Sequence, residues 1–97
     1  MIWTKEELLT KLKKCHSLGT LDEETLSIIE DLARRIHRTF RYAEKITAQK
    51  CFDAGLNNIE KNWKKALGKE TLYFSYLCEL YKRAAHREYA KINKYEK

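Results

Sequence analysis

The absence of proline constrains this chain more than any other feature of its sequence. Only Gly19, Gly55 and Gly68 provide glycine's backbone freedom in a chain of 97 residues. A β-rich chain of this length needs many turns, which are built mainly from Gly, Pro, Asn, Asp and Ser. Apolar residues also recur at spacings of three and four, as they do along one face of an α-helix. The sequence therefore predicts an all-α fold.

The length and composition of the chain predict one domain over residues 1–97. Chains of this size bury somewhat over 60% of the surface that they expose when unfolded, about enough for one modest core. Charged residues make up 35% of the chain, above the usual quarter. This is typical of amphipathic helices, whose long charged side chains cover narrow apolar stripes.

Local signals place a short first helix and the start of a long second one. Thr4 and Glu7 form a capping box, and Gly19 supplies a left-handed stop, which predicts a helix over residues 5–17. A second capping box at residues 20–23 predicts the next start. Apolar residues then continue at helical spacing, and we predict a helix over residues 21–53 that is long enough to kink near residues 47–50.

The second half of the sequence predicts a short helix followed by a long one. Residues 53–58, Asp-Ala-Gly-Leu-Asn-Asn, have the composition of a turn. A short helix is expected over about 57–67, closed by Gly68, and a long one over about 70–95. The predicted architecture is a bundle of about four helices, two long and two short.

Positive charge is concentrated after residue 33. Residues 1–33 contain four Lys and seven Asp or Glu, a net charge of −3, whereas residues 34–97 contain sixteen Lys or Arg and seven acids, a net charge of +9. A basic segment of this size indicates an anionic partner, such as nucleic acid, an acidic protein surface or an anionic membrane surface.

The basic residues fall into two rows at helical spacing, in which acidic residues are scarce. Plotted on a helical wheel, the first row lies nearly opposite the apolar stripe of its helix, and the second flanks the apolar stripe of the last helix. We name them the first basic ridge, Arg34, Arg38, Arg41 and Lys45, and the second basic ridge, Arg83, Arg87, Lys91 and Lys94. Either they are solvated helix faces, or they bind phosphate groups.

Tyrosines are interleaved with these cations. Exposed aromatic rings stack on unpaired bases, whereas buried rings form part of a core. Tyr42 and Tyr95, each next to a basic residue in the sequence, are the candidates for stacking.

Other classes of site are weakly supported. Cys15, Cys51 and Cys78 are widely spaced, and the His and Cys residues lack structural-zinc spacing, so we expect no metal, no cofactor and a reducing, cytoplasmic compartment. No nucleophile elbow or phosphate-binding loop occurs, and although His86 stands among cations as in a helical ribonuclease, we do not expect an enzyme. No apolar run reaches the length of a membrane span, and no membrane partner is expected.

Two functions remain open. The first is a small basic helical protein that binds a nucleic-acid backbone, or joins a nucleoprotein complex, without strong sequence specificity. The second is a protein-binding adaptor or inhibitor, for example encoded by a phage or plasmid, that docks its basic face on an acidic or nucleic-acid-binding partner. A homodimer through the long helices is compatible with both.

Overall fold

The computed structural model describes residues 2–40 and 45–95, without the side chains of residues 70 and 93–95. Within these residues the chain forms four α-helices and no strand: α1 (Lys5–Leu18), α2 (Glu23–His37), α3 (Lys45–Ala66) and α4 (Tyr73–Tyr95). A 3₁₀ helix, Leu67–Leu72, connects α3 to α4. The predicted all-α bundle with two longer and two shorter helices is confirmed.

Helix α1 begins after Thr4 and ends before Gly19, the two residues from which its bounds were predicted. The Thr4 hydroxyl accepts a hydrogen bond from the Glu7 amide at 3.1 Å. At the other end Gly19 has φ of 83°, the left-handed conformation that glycine adopts without a Cβ clash. Trp3 and Leu8, on either side of the first turn, are both buried.

Helix α2 starts two residues later than predicted, at Glu23 instead of residue 21, and ends well before residue 53. Its N-cap is Asp22, whose carboxylate accepts from the Thr25 amide at 2.8 Å. At its other end the Ile36 carbonyl accepts from both the amide and the hydroxyl of Thr39. A continuing helix would give that carbonyl to the amide of Phe40, which bonds to His37 instead. The prediction of one helix over 21–53 is therefore wrong, because the chain turns after His37.

The predicted turn at residues 53–58 is also wrong, because these residues lie inside α3. Gly55 is buried at the point where α3 crosses Tyr81, and a Cβ there would lie 2.9 Å from Cγ of that ring. The Asn58 side chain donates to the backbone carbonyl of Leu80 at 2.6 Å. Glycine and asparagine thus join α3 closely to α4 instead of forming a turn. Residues 47–50, where a kink was expected, are helical as well.

The two longer helices form an antiparallel hairpin, against which α1 and α2 pack. Gly55 contacts Tyr81 and Asn58 contacts Leu80, so α3 runs back along α4. The hydroxyl of Tyr73 donates to the Lys5 carbonyl at 2.6 Å and attaches α1 to the start of α4. One buried core joins all four helices, with Leu12, Ile29, Ile59 and Leu77 among its fully buried members.

The end of α2 contacts the middle of the hairpin through rings. His37 Nδ1 lies 3.1 Å from the hydroxyl of the fully buried Tyr81. Phe40 stacks on Tyr81 at 6.3 Å between ring centroids and also contacts the His86 ring at 5.2 Å. Phe40 reaches these rings because the chain leaves the helix at this point.

Candidate nucleic-acid interface

Positive charge divides along the structural boundary between the helix pair α1–α2 and the hairpin α3–α4. Residues 45–95 contain eleven Lys or Arg and five Asp or Glu, a net charge of +6, whereas residues 1–44 contain eight of each kind and are neutral. The net charge of the whole chain is also +6. The hairpin therefore carries all of the excess positive charge.

The cations of the hairpin are exposed. Every one whose side chain the structure describes is solvent-accessible, and these are Lys45, Lys50, Lys61, Lys64, Lys65, Lys69, Lys82, Arg83, Arg87 and Lys91. Of these ten, only Arg83 lies within 4 Å of a described acidic side chain, with 3.7 Å between its Nε and a carboxylate oxygen of Glu79. Exposed cations without acidic neighbours repel one another and are available to an external anion.

Cations of the helix pair α1–α2 are more often neutralised internally. Lys11 pairs with Glu24 at 2.6 Å and thereby links α1 to α2. Within α2, Arg34 and Arg35 each pair with an acid one turn earlier, Glu30 and Asp31. Exposed pairs of this kind contribute little to stability, but they reduce the positive charge that this half presents.

Only part of the first basic ridge lies in the described residues. Arg34 is exposed, pairs with Glu30 at 2.7 Å and lies 5.3 Å from the centre of the Phe52 ring. Arg38 is exposed at the C-cap of α2, and Lys45 is exposed as the first residue of α3. The prediction that this ridge is one row on a single helix is therefore wrong, because α2 ends at His37. Arg41 lies outside the described residues.

The second basic ridge lies on α4. Arg83, Arg87 and Lys91 are all exposed, and the side chain of Lys94 is outside the described part of the chain. Acids are less scarce on the ridges than the sequence suggested, because Arg34 and Arg83 each have a carboxylate one turn earlier. Arg38, Lys45, Arg87 and Lys91 have no described acid within 4 Å, and these four retain the character that the sequence assigned to both ridges.

The two ridges do not meet where α2 faces α4. A groove lies between α2 and α4, and Arg35 and Lys82 are among the residues that line it. Arg34 and Arg83 are their neighbours in sequence, and because each step along a helix turns the side chain by about 100°, these two ridge residues point away from the groove. Among the described contacts, none joins a residue of one ridge to a residue of the other. The larger number of exposed cations lies on the hairpin.

Sequence reasoning missed the lysines of α3 and the 3₁₀ helix. Lys50, Lys61, Lys64, Lys65 and Lys69 are exposed but belong to neither ridge. They were overlooked because the predicted turn at 53–58 divided α3 between two helices. Counting charge over the segment between Lys45 and Tyr95 would have revealed them.

The described tyrosines range from buried to exposed, with Tyr76 half-buried. Tyr81 is fully buried and Tyr73 is 8% exposed, so both rings belong to the core. Tyr89 is 39% exposed and lies on α4 between Arg87 and Lys91 in sequence. The two predicted stacking residues, Tyr42 and Tyr95, have no described side chain.

The described residues provide neither a metal site nor a membrane-spanning helix. They contain no group of three His, Cys, Asp or Glu side chains placed to hold a metal ion. No helix among them has the length and apolar character needed to cross a bilayer. Comparison of the chain with protein-family models, curated proteins and solved structures gave no match.

Proposed function

We propose that this protein binds the phosphate backbone of nucleic acid through its α3–α4 hairpin, as a non-enzymatic protein or a small subunit of a nucleoprotein complex. The observation that carries the proposal is the concentration of the whole net charge of +6 on this hairpin. Ten of its cations are exposed and only one of them has a described acidic partner.

The type of cation favours phosphate over a protein surface. The hairpin contains nine Lys and two Arg between residues 45 and 95. Lysine is depleted from protein–protein interfaces, whereas it is a common phosphate ligand that acts as a flexible point charge. A lysine-rich surface binds a backbone without demanding one geometry, which agrees with recognition that is independent of sequence.

The shape of the surface also suits a linear polyanion. Helix α3 has 22 residues, so it is about 33 Å long at 1.5 Å per residue. Its lysines extend from Lys45 at the first residue to Lys65 in the last turn. Duplex DNA carries about one negative charge per 1.7 Å of its axis, and an extended row of cations neutralises several phosphates at once.

Three exposed cations lie at similar levels along the hairpin axis, at the end remote from the 3₁₀ connection. Gly55 and Tyr81 are in contact, and in an antiparallel pair ten residues back along α3 corresponds to ten residues forward along α4. Lys45 therefore lies at the level of Lys91, with Arg87 one turn away. We name these three residues, Lys45, Arg87 and Lys91, the distal cluster, and propose them as the main phosphate contacts.

The proposal is tested by fluorescence anisotropy with labelled single-stranded and duplex DNA and RNA over a series of salt concentrations. Binding through phosphates weakens linearly when the logarithm of affinity is plotted against the logarithm of salt concentration, with a slope of about −0.9 per duplex phosphate neutralised. We expect a slope that corresponds to several phosphates and little dependence on base sequence. Absence of binding at low salt would show that the hairpin does not bind nucleic acid.

A further inference from the structure

A groove away from the distal cluster lies between α2 and α4, and it shares Lys82 with the cations of the hairpin. It has a volume of about 260 Å³, and its lining residues are Trp3, Leu32, Arg35, Ile36, Thr39, Phe74, Cys78 and Lys82. Apolar side chains from three parts of the chain form its walls: the segment before α1, helix α2 and the first half of α4. Cofactor and drug-sized ligands usually occupy about 300–1,000 Å³, so this groove suits one or two side chains.

A hydrogen bond, an ion pair and ring contacts hold Trp3 in the wall of the groove. The Trp3 indole N–H donates to a carboxylate oxygen of Asp31 at 2.6 Å, and that carboxylate also pairs with Arg35 at 3.0 Å. The guanidinium of Arg35 lies over the Trp3 ring at 4.7 Å, and the Phe74 ring lies 6.3 Å from the same ring. The hydrogen bond from Trp3, followed by the charge of Arg35, lowers the pKa of Asp31. These contacts fix the position of the Trp3 ring in the wall of the groove.

Three cations surround the groove. Arg35 and Lys82 line it, and Lys5 lies over the Phe74 ring at 4.6 Å. Of the nearby acids, Asp31 is already engaged by Trp3 and Arg35, and Glu79 is directed at Arg83. Burial raises the pKa of the Cys78 thiol in the groove, while the nearby Lys82 and Lys5 act to lower it and Glu79 acts to raise it. The rim is therefore positive above an apolar floor.

We propose that this groove docks an acidic segment of a partner protein by taking up one large apolar side chain from it. The apolar residue fills the space between Trp3, Ile36 and Phe74. Acidic residues on either side of it pair with Lys5 and Lys82, because Arg35 is already engaged by Asp31. A small pocket that takes one buried anchor beneath a charged rim is a common form of protein docking site. In a nucleoprotein complex this contact would hold the protein to its partner while the hairpin remains available for nucleic acid.

Nucleic acid fits this groove less well than an acidic peptide. The floor offers few hydrogen-bonding groups for a base edge, and the nearby Phe74 and Trp3 rings present little exposed surface, Trp3 being 8% exposed. The distal cluster is on another part of the molecule. The two surfaces are thus expected to bind different partners independently.

The test uses short peptides and two reporters located in the groove. The probe is a glutamate-rich peptide with one central leucine, compared with a peptide in which glycine replaces the leucine and one in which lysines replace the glutamates. The reporters are the Trp3 indole N–H resonance and the alkylation rate of Cys78, which is half-buried whereas Cys15 and Cys51 are fully buried. We expect the leucine peptide to shift the resonance and to slow alkylation, and the glycine peptide to bind about tenfold more weakly or worse, because the anchor supplies most of the affinity.

Variants of the rim locate the binding. Lys82→Glu reverses one rim charge on an exposed side chain, and Lys65→Glu makes the same change on α3, outside the groove. We expect Lys82→Glu to weaken the leucine peptide about threefold to tenfold and Lys65→Glu to leave its affinity unchanged, because only close charges affect a docked segment strongly. Circular dichroism verifies that both variants are folded.

Several results would overturn the proposal. Equal binding of the leucine and glycine peptides would show attraction by charge alone, and equal binding of the lysine-flanked peptide would show that the rim does not select acids. Binding of a medium-chain fatty acid without binding of the peptide would identify a lipid-like ligand. Protection of Cys78 by an oligonucleotide, and not by the peptide, would assign the groove to nucleic acid.

Discussion

The helix pair α1–α2 and the hairpin α3–α4 are built in different ways. In the first, each helix has a capping side chain, Thr4 or Asp22, and ion pairs occur both within and between the helices. In the second, Gly55 and Asn58 join two long helices, and most of the described cations have no acidic partner nearby. The first half is neutral and the second carries a charge of +6.

This difference shows that the two regions are stabilised by different kinds of contact. Local caps and ion pairs stabilise a short helix at little cost, but they also neutralise its charge. The hairpin obtains its stability from close packing of α3 on α4, which leaves most of the cations on its outer surface without an acidic neighbour. A positively charged surface that lacks internal partners is stabilised further when an anion binds to it.

The largest loss of stability is expected when Trp3, which contacts both regions, is replaced by alanine. Trp3→Ala deletes a buried ring that contacts Phe74 and a hydrogen bond to Asp31. Loss of a buried tryptophan typically lowers the free energy of unfolding by about 3–5 kcal/mol. Urea denaturation checks this value, with Trp3→Phe as the control, since it retains a ring and loses mainly the hydrogen bond. Similar small losses in both variants would show that Trp3 does not join the regions.

The next effect tests the packing of the hairpin. Gly55→Ala places a methyl group 2.5 Å from Cε2 of the buried Tyr81. Overpacking typically costs about 1–3 kcal/mol, and a contact this short with a buried ring belongs to the upper part of that range, about 2–3 kcal/mol. Alanine gains roughly 1 kcal/mol over glycine in a helix, so we expect a net loss of about 1–2 kcal/mol.

The control for Gly55→Ala is Gly68→Ala, because a Cβ at Gly68 meets nothing within 4 Å. We expect the control to change the free energy of unfolding by less than about 1 kcal/mol. An unchanged or higher stability for Gly55→Ala would mean that α3 and α4 are not packed as closely as described.

A smaller effect tests the local signals of the first region. Thr4→Ala removes the side chain that caps α1, and loss of such a cap typically costs about 1 kcal/mol. Thr4→Ser keeps a hydroxyl and should retain most of the stability. Thermal unfolding of both variants provides the comparison, and equal losses would contradict a role for the hydroxyl.

The smallest effect concerns the contact of α2 with the hairpin at His37. Burial, followed by the positive charge of Arg34, lowers the pKa of His37 below its usual 6.5. The unfolded chain then binds this proton more tightly than the folded chain does, so stability rises with pH up to about 6.5 and falls as the pH decreases through the window below it. We expect His37→Gln to remove part of this slope in unfolding measurements from neutral to mildly acid pH. An unchanged slope would show that His37 is not the group responsible.

Sequence signals predicted the elements that depend on local chemistry. The Thr4 cap and the Gly19 stop fixed α1 to within one residue of its predicted end. The end of α2 was not predictable in this way, because it depends on Phe40 stacking on Tyr81, 41 positions away along the chain. Residues 53–58 gave a wrong prediction for a similar reason. Gly55 and Asn58 are residue types common in turns, but here they contact α4.

The candidate site was predictable in its charge but less so in its geometry. Exposure of Arg34, Arg83 and Arg87 follows from helical periodicity and is confirmed. The ion pairs of Arg34 and Arg83 follow from the same periodicity, since Glu30 and Glu79 each stand four residues earlier. The groove between α2 and α4 depends on how three segments pack together, and no pattern within one segment indicates it.

One measurement tests the role of the hairpin most directly. The triple variant Lys45→Gln, Arg87→Gln, Lys91→Gln removes the distal cluster, and Lys13→Gln, Lys14→Gln, Arg34→Gln removes the same charge from the exposed surface of α1–α2. If the distal cluster contacts phosphates, the first variant binds nucleic acid more weakly and its salt-dependence slope is shallower by about three, since each lysine or arginine that contacts a phosphate contributes about one. The second variant should retain nearly the wild-type slope. Equal changes in both variants, or none in either, would contradict nucleic-acid binding through the hairpin.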